Sequence, residues 1–96
     1  MSAAVVEVLG RDGRVLAVHK VQSWPLRIGR SPDADLVLVD AHVAATHARI
    51  DWSEEGANLV MLESLNGGRF GERQLKVGEA VALGLGADFQ LGATRL

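Results

Sequence analysis

The sequence predicts an all-β fold, either a sandwich or a barrel, built from short strands separated by tight turns. Short runs rich in aliphatic and β-branched residues recur along the whole chain. Turn-forming residues separate these runs, among them Asp12-Gly13 and Ser31-Pro32-Asp33. Glycines at positions 71, 78, 84, 86 and 92 divide the C-terminal part into short pieces. Short strands at turn-marked spacing are typical of β-sandwiches and barrels.

The predicted strands follow one another in a simple order. The first two, Ala4 to Leu9 and Val15 to Val21, flank an Asp-Gly pair, which is a strong hairpin signal because the turn needs positive φ. Pro25 precedes the third run, which ends at Gly29. Leu36 to Val39 is a continuous apolar run and predicts a buried strand. The remaining predicted strands are 48–52, 59–62, two short pieces around Phe70 and Leu75, 80–83 and 89–91.

One segment, Asp40 to Ile50, has the pattern of a helix rather than a strand. It is rich in alanine, begins with a residue suited to an N-cap, and spaces Val43, Thr46, His47 and Ile50 helically. Helix propensity is a weak term that tertiary context overrides. Because the rest of the chain predicts strands, we expect the tertiary context to override the helix here.

Composition limits the function classes. The 96 residues suffice for one domain, which we expect to span 1–96. The chain has no cysteine, which excludes disulfides and thiolate metal sites. The net charge of −2, without a basic stripe, argues against nucleic acid. The sequence has no apolar run near the ~20 residues of a membrane span and no signal-peptide layout at its start, so we expect a cytoplasmic domain without membrane contact.

Three segments carry a family resemblance: Ile28-Gly29-Arg30, His47 with Ala48 and Ile50 after it, and Ser64-Leu65-Asn66-Gly67. Between and after them, Asp33-Ala34-Asp35-Leu36-Val37-Leu38, Leu75, Val77-Gly78-Glu79 and Leu83-Gly84 fit the same pattern. In this order and spacing, Pro25 to Leu91 resembles the forkhead-associated (FHA) domain. The resemblance implies an antiparallel two-sheet β-sandwich whose loops at one end bind phosphothreonine peptides. In that fold Asp40 to Ala45 is a loop.

The resemblance also implies which residues bind the peptide. Arg30 would hold the phosphate, since a guanidinium presents a planar fork with two parallel hydrogen bonds; otherwise it is a solvated loop arginine. Asn66 would hold the peptide backbone through its amide, or it bonds its own turn. Ser31 and Ser64 complete the implied binding set, although Ser64 could simply cap its loop.

Four positions depart from the family pattern. The phosphate-contacting serine of the family falls on Ala44, and the arginine after it falls on Ala45. The threonine of the third motif falls on Leu65, and the asparagine of a later Asn-Gly pair falls on Gly71. We therefore expect weak phosphothreonine binding. The alternative is that Ala44, Ala45 and Leu65 make the loops apolar enough to contact an unmodified protein partner or a second copy.

Catalysis and metal binding lack support in the sequence. His47 occupies the position of a buried family histidine that pins a loop, and we expect a structural role for it, as for Gly29 and Gly67. His42 and Asp40 lie near it in sequence, but no third ligand or nucleophile is suitably spaced. No serine lies in a Gly-x-Ser-x-Gly elbow. We therefore predict a signalling interaction module rather than an enzyme, with no catalytic residue, metal or cofactor.

Overall fold

The computed structural model describes residues 4–10, 12–54, 56–62, 67–84 and 87–96, and the chain forms strands and no helix within these ranges. None of the described segments is therefore a helix able to cross a membrane. The strands are β1 (Ala4–Leu9), β2 (Val15–Val21), β3 (Leu26–Gly29), β4 (Leu36–Val37), β5 (Ala48–Ser53), β6 (Gly56–Met61), β7 (Gly68–Phe70), β8 (Arg73–Leu75), β9 (Ala80–Leu83), β10 (Gln90–Leu91) and β11 (Thr94–Arg95).

These strands form two sheets that pack face to face. The six-stranded sheet has the order β2-β1-β11-β10-β7-β8, and the five-stranded sheet has the order β4-β3-β5-β6-β9. All strand pairs are antiparallel except β3 with β4, which run parallel. The all-β, two-sheet sandwich predicted from the sequence is confirmed.

The core lies between the sheets and is made by the inward side chains of both. In β5, Ala48 and Ile50 are buried while Arg49 and Asp51 face out, as period-two alternation predicts. The largest fully buried aliphatic side chains come from both sheets: Leu26, Ile28, Leu59, Met61, Leu75 and Leu91. Burying a side chain of this size contributes about 1.5–3 kcal/mol, so the core supplies most of the stabilisation.

Asp40 to Ala45 forms turns rather than a helix, as expected, and β5 begins at Ala48. The Asp40 side chain accepts a hydrogen bond from the backbone N–H of His42 (2.8 Å), which gives the backbone an alternative to a helical bond. Val43 and His47 are buried by contacts with the rest of the sandwich. Tertiary packing thus outweighs the local helix propensity.

The prediction of one buried strand over Leu36 to Val39 was wrong in its second half. The strand covers only Leu36–Val37, and burial alternates: Leu36 and Leu38 are in the core, whereas Val37 is exposed and Val39 is 99% exposed. β4 lies at the edge of its sheet, so only one of its faces packs against the core. The continuous apolar run was interpreted as a strand buried on both faces, but an edge strand such as β4 packs against the core on one face only.

Trp24 and Trp52 stack on each other, with ring centroids 5.4 Å apart and planes inclined by 20°. Trp24 precedes the start of β3, and the peptide bond between Trp24 and Pro25 is cis. Trp52 lies near the end of β5, which runs antiparallel to β3. The pair therefore marks one end of the sandwich, and the segment after Gly29 lies at the other.

Candidate functional site

Two backbone segments lie side by side at the end of β3. The N–H of Arg30 donates to the carbonyl of Ala44 (3.0 Å), and the N–H of Ser31 donates to the carbonyl of Ala45 (3.2 Å). The N–H of Leu38 donates in turn to the carbonyl of Gly29 (2.8 Å). These bonds hold the β3–β4 loop against the β4–β5 loop, so that both loops form one surface.

Gly29 is required by this close approach. A Cβ atom at this position would collide with the backbone carbonyl of Ala45, and the carbonyl oxygen of Ala44 would be only 3.0 Å away. Backbone atoms cannot move aside without breaking the two bonds that they make to the Arg30 and Ser31 amides. Any side chain at Gly29 would therefore separate the loops.

His47 joins these loops to the segment before β7. It is fully buried, its Nδ1 accepts a hydrogen bond from the N–H of Ala44 (3.0 Å), and its Nε2 lies 2.7 Å from the carbonyl oxygen of Gly67. Because Nδ1 accepts, the ring proton is on Nε2 and is donated to Gly67, which defines a neutral tautomer. Both ring nitrogens are thus engaged within the protein, and neither is available for a metal ion or for proton transfer.

Gly67 needs a backbone conformation that favours glycine. Its φ is +62°, and a Cβ atom there would collide with the carbonyl oxygen of Leu75. This conformation presents the Gly67 carbonyl to the ring of His47. The three other residues named for this loop, Ser64, Leu65 and Asn66, lie outside the described residues.

Arg30 extends from this loop surface as an exposed side chain. Within the described ranges it makes no side-chain hydrogen bond or ion pair, and the same holds for Arg27 and Arg69. The other described arginines are paired: Arg14 with Asp12 (3.3 Å), Arg49 with Asp51 (2.7 Å), Arg73 with Glu79 (3.1 Å) and Arg95 with Asp88 (3.0 Å). A free guanidinium beside ordered loops is suited to an external anion.

Hydroxyl donors near Arg30 are few. Ser31 is half-buried, and its Oγ accepts a hydrogen bond from the N–H of Asp33 (3.2 Å), which leaves its hydroxyl proton able to donate elsewhere. Thr46 is half-buried in the next loop. Ala44 and Ala45 face the same region without a polar side chain. Gly71 lies apart from these residues, at the tip of the β7–β8 hairpin, beyond the three-residue strand β7.

Asp40 anchors the β4–β5 loop, a role that the sequence reasoning missed. One carboxylate oxygen accepts from the N–H of His42, and the other accepts from the N–H of Ala93 (2.9 Å) and the hydroxyl of Thr94 (2.7 Å). The Thr94 hydroxyl is the main cause that lowers the pKa of Asp40 to about 2, with the backbone amides of His42 and Ala93 adding to it. The Asp-x-His spacing could have predicted the hydrogen bond between Asp40 and the N–H of His42. No local pattern predicts the bonds to Ala93 and Thr94, which lie 53 and 54 residues away.

The described side chains do not converge as metal ligands would. In the ranges that the structure describes, no three His, Cys, Asp or Glu side chains come together as a group able to hold a metal ion. His42 lies near Asp40, with Nδ1 3.3 Å from Oδ1. The arrangement therefore offers backbone-ordered loops, one free guanidinium and a few hydroxyls, which together suit the binding of an anionic group on a larger partner.

Comparison with known proteins agrees with this architecture. Residues 12–96 match the family model described as inner membrane component of T3SS, cytoplasmic domain. No curated protein sequence matches the chain. Solved FHA domains are similar to it in structure, which confirms the predicted FHA resemblance and fold.

Three solved structures illustrate the similarity. One is an FHA domain studied for its phosphothreonine-dependent interactions, with 24% identity, a TM-score of 0.80, and coverage of 98% of this chain and 92% of the other. The FHA domain of CT664 from Chlamydia trachomatis has 24% identity, a TM-score of 0.80, and coverage of 97% and 91%. Mycobacterium tuberculosis EmbR, in complex with a low-affinity phosphopeptide, has 28% identity and a TM-score of 0.77, over 96% of this chain and 23% of EmbR.

Proposed function

This chain belongs to the family described as inner membrane component of T3SS, cytoplasmic domain, and we propose that it is an interaction module that binds phosphothreonine-containing protein segments. The binding surface is the end of the sandwich where the β3–β4 and β4–β5 loops meet and where His47 contacts Gly67. The observation that carries the proposal is the unpaired, exposed Arg30 on loops whose backbone is already ordered. The phosphothreonine-dependent interactions of the similar FHA domain support it.

Arg30 binds the phosphate in this proposal. Its guanidinium can donate two parallel hydrogen bonds to phosphate oxygens, and hydrogen bonds to charged groups contribute about 1.5–3 kcal/mol each. Because the loops are held by the bonds to Ala44 and Ala45 and by His47, little backbone ordering remains to be done on binding. Such preorganisation lowers the entropic cost of association.

The surrounding residues make the site weak. Ala44 and Leu65 stand where the family places hydroxyls that donate to the phosphate, and two lost charge-assisted bonds cost roughly 3–6 kcal/mol if they add. That is on the order of a hundred-fold to ten-thousand-fold in affinity. We therefore expect a Kd in the high micromolar range or above for a free peptide. Ser31, Ser64 or Thr46 can replace part of the lost donation, and Asn66 holds the peptide backbone.

The proposed module acts without catalysis or a cofactor, on the cytoplasmic side. His47 is the one fully buried histidine among the described residues, and the bonds to Ala44 and Gly67 engage both of its nitrogens.

The alternative is that the same loops bind an unmodified partner or a second copy through Ala44, Ala45 and Leu65. Ala45 is exposed, which is the observation in favour of it.

Titration of one peptide in its phosphothreonine and unmodified forms tests the proposal. We expect measurable binding of the phosphorylated form only, and loss of that binding in Arg30→Ala. The melting temperature of Arg30→Ala should stay near that of the wild type, because an exposed and unpaired arginine adds little stability.

Arg27→Ala is the matched control, since Arg27 is also exposed and unpaired and lies three residues before Arg30. It should bind like the wild type. If both variants lost binding equally, the loss would reflect the change in net charge and not a contact made by Arg30. Equal affinity of the wild type for the two peptide forms would favour the phosphorylation-independent alternative.

A further inference from the structure

Four polar side chains form one row across the outer face of the six-stranded sheet. Gln90 of β10 lies opposite Arg95 of β11 on one side and opposite Arg69 of β7 on the other. Arg69 in turn lies opposite Gln74 of β8. Residues directly opposite each other on neighbouring strands point to the same face of a sheet. The row faces solvent, because the adjacent residues along β7, β8 and β10 are buried.

The two arginines of this row differ in their partners. Arg95 forms an ion pair with Asp88, with Nη2 3.0 Å from Oδ2. Arg69 forms no ion pair in the part of the chain that the structure describes, although Glu72 follows it closely in sequence. One guanidinium of the row is therefore left without a carboxylate partner among the described residues.

A hollow of about 210 Å³ opens between the two arginines. It is lined by Arg69, Gly71, Asp88, Phe89, Gln90 and Arg95. Gly71 leaves the hollow unobstructed, since it has no side chain. The FHA pattern places an asparagine at this position, so the missing side chain distinguishes this chain from the family pattern.

Two of the lining side chains are already held in place. Asp88 holds Arg95, and Nε2 of Gln90 donates to the carbonyl oxygen of Gly92 (3.0 Å). The second hydrogen on Nε2 remains able to donate to a ligand. Arg69 and Arg95 are two strands apart, which places their backbones roughly 9.5 Å from each other. Their long side chains can therefore reach one small anion above Gln90 from both sides.

We propose that this hollow binds a carboxylate side chain of an acidic protein segment, with Arg69 donating the main hydrogen bonds. A guanidinium presents two parallel N–H groups to a carboxylate, and Arg69 has both free. Arg95 and Gln90 donate from the other side. Two arginines and Asp88 leave one excess positive charge in the hollow, which matches a single carboxylate.

Polyanionic ligands fit this face less well. Nucleic acids and anionic membranes are bound by several basic residues acting together. Here two arginines stand beside two carboxylates, since Asp88 lines the hollow and the exposed Glu72 lies with Arg69 at a second hollow on the other side. The charges on this face therefore favour one acidic side chain on a protein over an extended array of phosphates.

The proposed carboxylate site is separate from the phosphothreonine site. Arg30 follows β3 of the five-stranded sheet, whereas the row lies on the six-stranded sheet. The two sites therefore make different predictions for the same variants. Arg69→Ala should retain the phosphothreonine affinity of the wild type, and a matching loss of that affinity would overturn the proposal by placing Arg69 in the loop site.

Titration with a short acidic peptide tests the proposal. The probe is tetraglutamate with blocked ends, and tetraglutamine of the same length is the uncharged control. NMR shifts of the Gln90 side-chain amide and of the Arg69 and Arg95 Nε–H groups report binding at this face. We expect saturable shifts with tetraglutamate at concentrations on the order of millimolar, because exposed charge contacts are individually weak. Tetraglutamine should cause none.

Two arginine variants locate the binding. Arg69→Ala should weaken tetraglutamate binding roughly fivefold, because the exposed guanidinium makes the main contact. Arg27→Ala is the matched control, since Arg27 is also exposed and unpaired among the described residues but lies on the other sheet. It removes the same charge and should bind like the wild type. Equal weakening in both variants, shifts that avoid Gln90 and Arg95, or equal binding of the two peptides would each overturn the proposal.

Discussion

The loop end of the sandwich and the β2 edge differ in where their polar backbone groups find partners. At the loop end, internal bonds hold the loops: Arg30 and Ser31 donate to Ala44 and Ala45, and His47 bonds Ala44 and Gly67. At the β2 edge, one side of a seven-residue strand has no partner within the described chain, and its aliphatic side chains face solvent.

The difference shows how the loop surface can recognise a partner. A surface whose backbone is already paired recognises through the side chains it displays, and Arg30 is such a side chain. A surface with free backbone groups accepts an added strand where its edge is regular, and in β2 the extra residue Leu16 interrupts the edge. The loop surface should therefore be sensitive to single substitutions and to phosphate.

The largest effect should come from removing the residue that joins the loops. His47→Ala removes the acceptor of the Ala44 N–H and a donor to the Gly67 carbonyl, and it opens a cavity in a fully buried position. Buried polar groups without partners cost about 1–3 kcal/mol each, so we expect a loss of about 2–4 kcal/mol in the free energy of unfolding. Chemical denaturation measures this loss, and phosphopeptide affinity should fall as well.

His19→Ala is the control for this prediction, because His19 is a half-buried histidine in β2 that makes no side-chain hydrogen bond in the described structure. It should cost much less than His47→Ala. If both variants unfold at the same denaturant concentration as the wild type, His47 does not hold the loops. The loop end would then not be ordered by internal hydrogen bonds as described above.

Restoring the two missing hydroxyls should strengthen phosphothreonine binding by the loop surface. Ala44→Ser with Leu65→Thr should raise phosphothreonine affinity at least tenfold, or about 1.4 kcal/mol, because each hydroxyl can donate to the phosphate. If Leu65 stands at the family's threonine position, as the resemblance implies, its replacement also removes apolar surface from the site. Isothermal titration of both proteins with one phosphopeptide series measures the gain. A tight wild type with no gain in the double variant would mean that other residues form the site.

Local sequence signals were sufficient for most of the fold. Alternation, β-branched runs and turn residues gave the positions of the hairpins and of most strands, since those depend on neighbours in sequence. The loop between Asp40 and Ala45 was not determined locally, because its residues favour a helix and the contacts that override this preference come from distant segments. The exposure of Val37 and Val39 was missed for the same reason, since the edge position of β4 is a property of the whole sheet.

The candidate site likewise contains some residues that the sequence could predict and others that it could not. The family resemblance singled out Arg30, Gly29, His47 and Gly67, but only the structure gives the reason for Gly29, which is the approach of the Ala45 carbonyl. Asp40 could not be assigned from its neighbours, because Ala93 and Thr94 come close to it only after the sandwich has formed. Residues whose role is a long-range hydrogen bond leave little trace in a single sequence.

The smallest expected effect, and the one with the clearest pH signature, concerns Asp40. In Asp40→Asn, an amide NH₂ would replace the oxygen that accepts from Ala93 and Thr94, or the one that accepts from His42, so one set of donors would lose its acceptor. The pKa of Asp40 is lowered from 3.8 to about 2, and one pKa unit corresponds to about 1.4 kcal/mol. Allowing for solvent screening near the surface, we expect the substitution to cost roughly 1–2 kcal/mol at neutral pH.

The sign of the pH dependence follows from the lowered pKa. The stabilisation by the carboxylate is fully present above the unfolded-state pKa of about 4 and is lost as the pH falls through about 2, where the folded protein takes up the proton. The difference in unfolding free energy between wild type and Asp40→Asn should therefore be constant from pH 5 to 7 and shrink below pH 4. Asp33→Asn, at an exposed aspartate that makes no side-chain bond in the described structure, should give a much smaller difference at neutral pH. A difference for Asp40→Asn that persists unchanged down to pH 2 would mean that Asp40 contributes by packing alone, and the loop end would then be held less by charge than its hydrogen bonds imply.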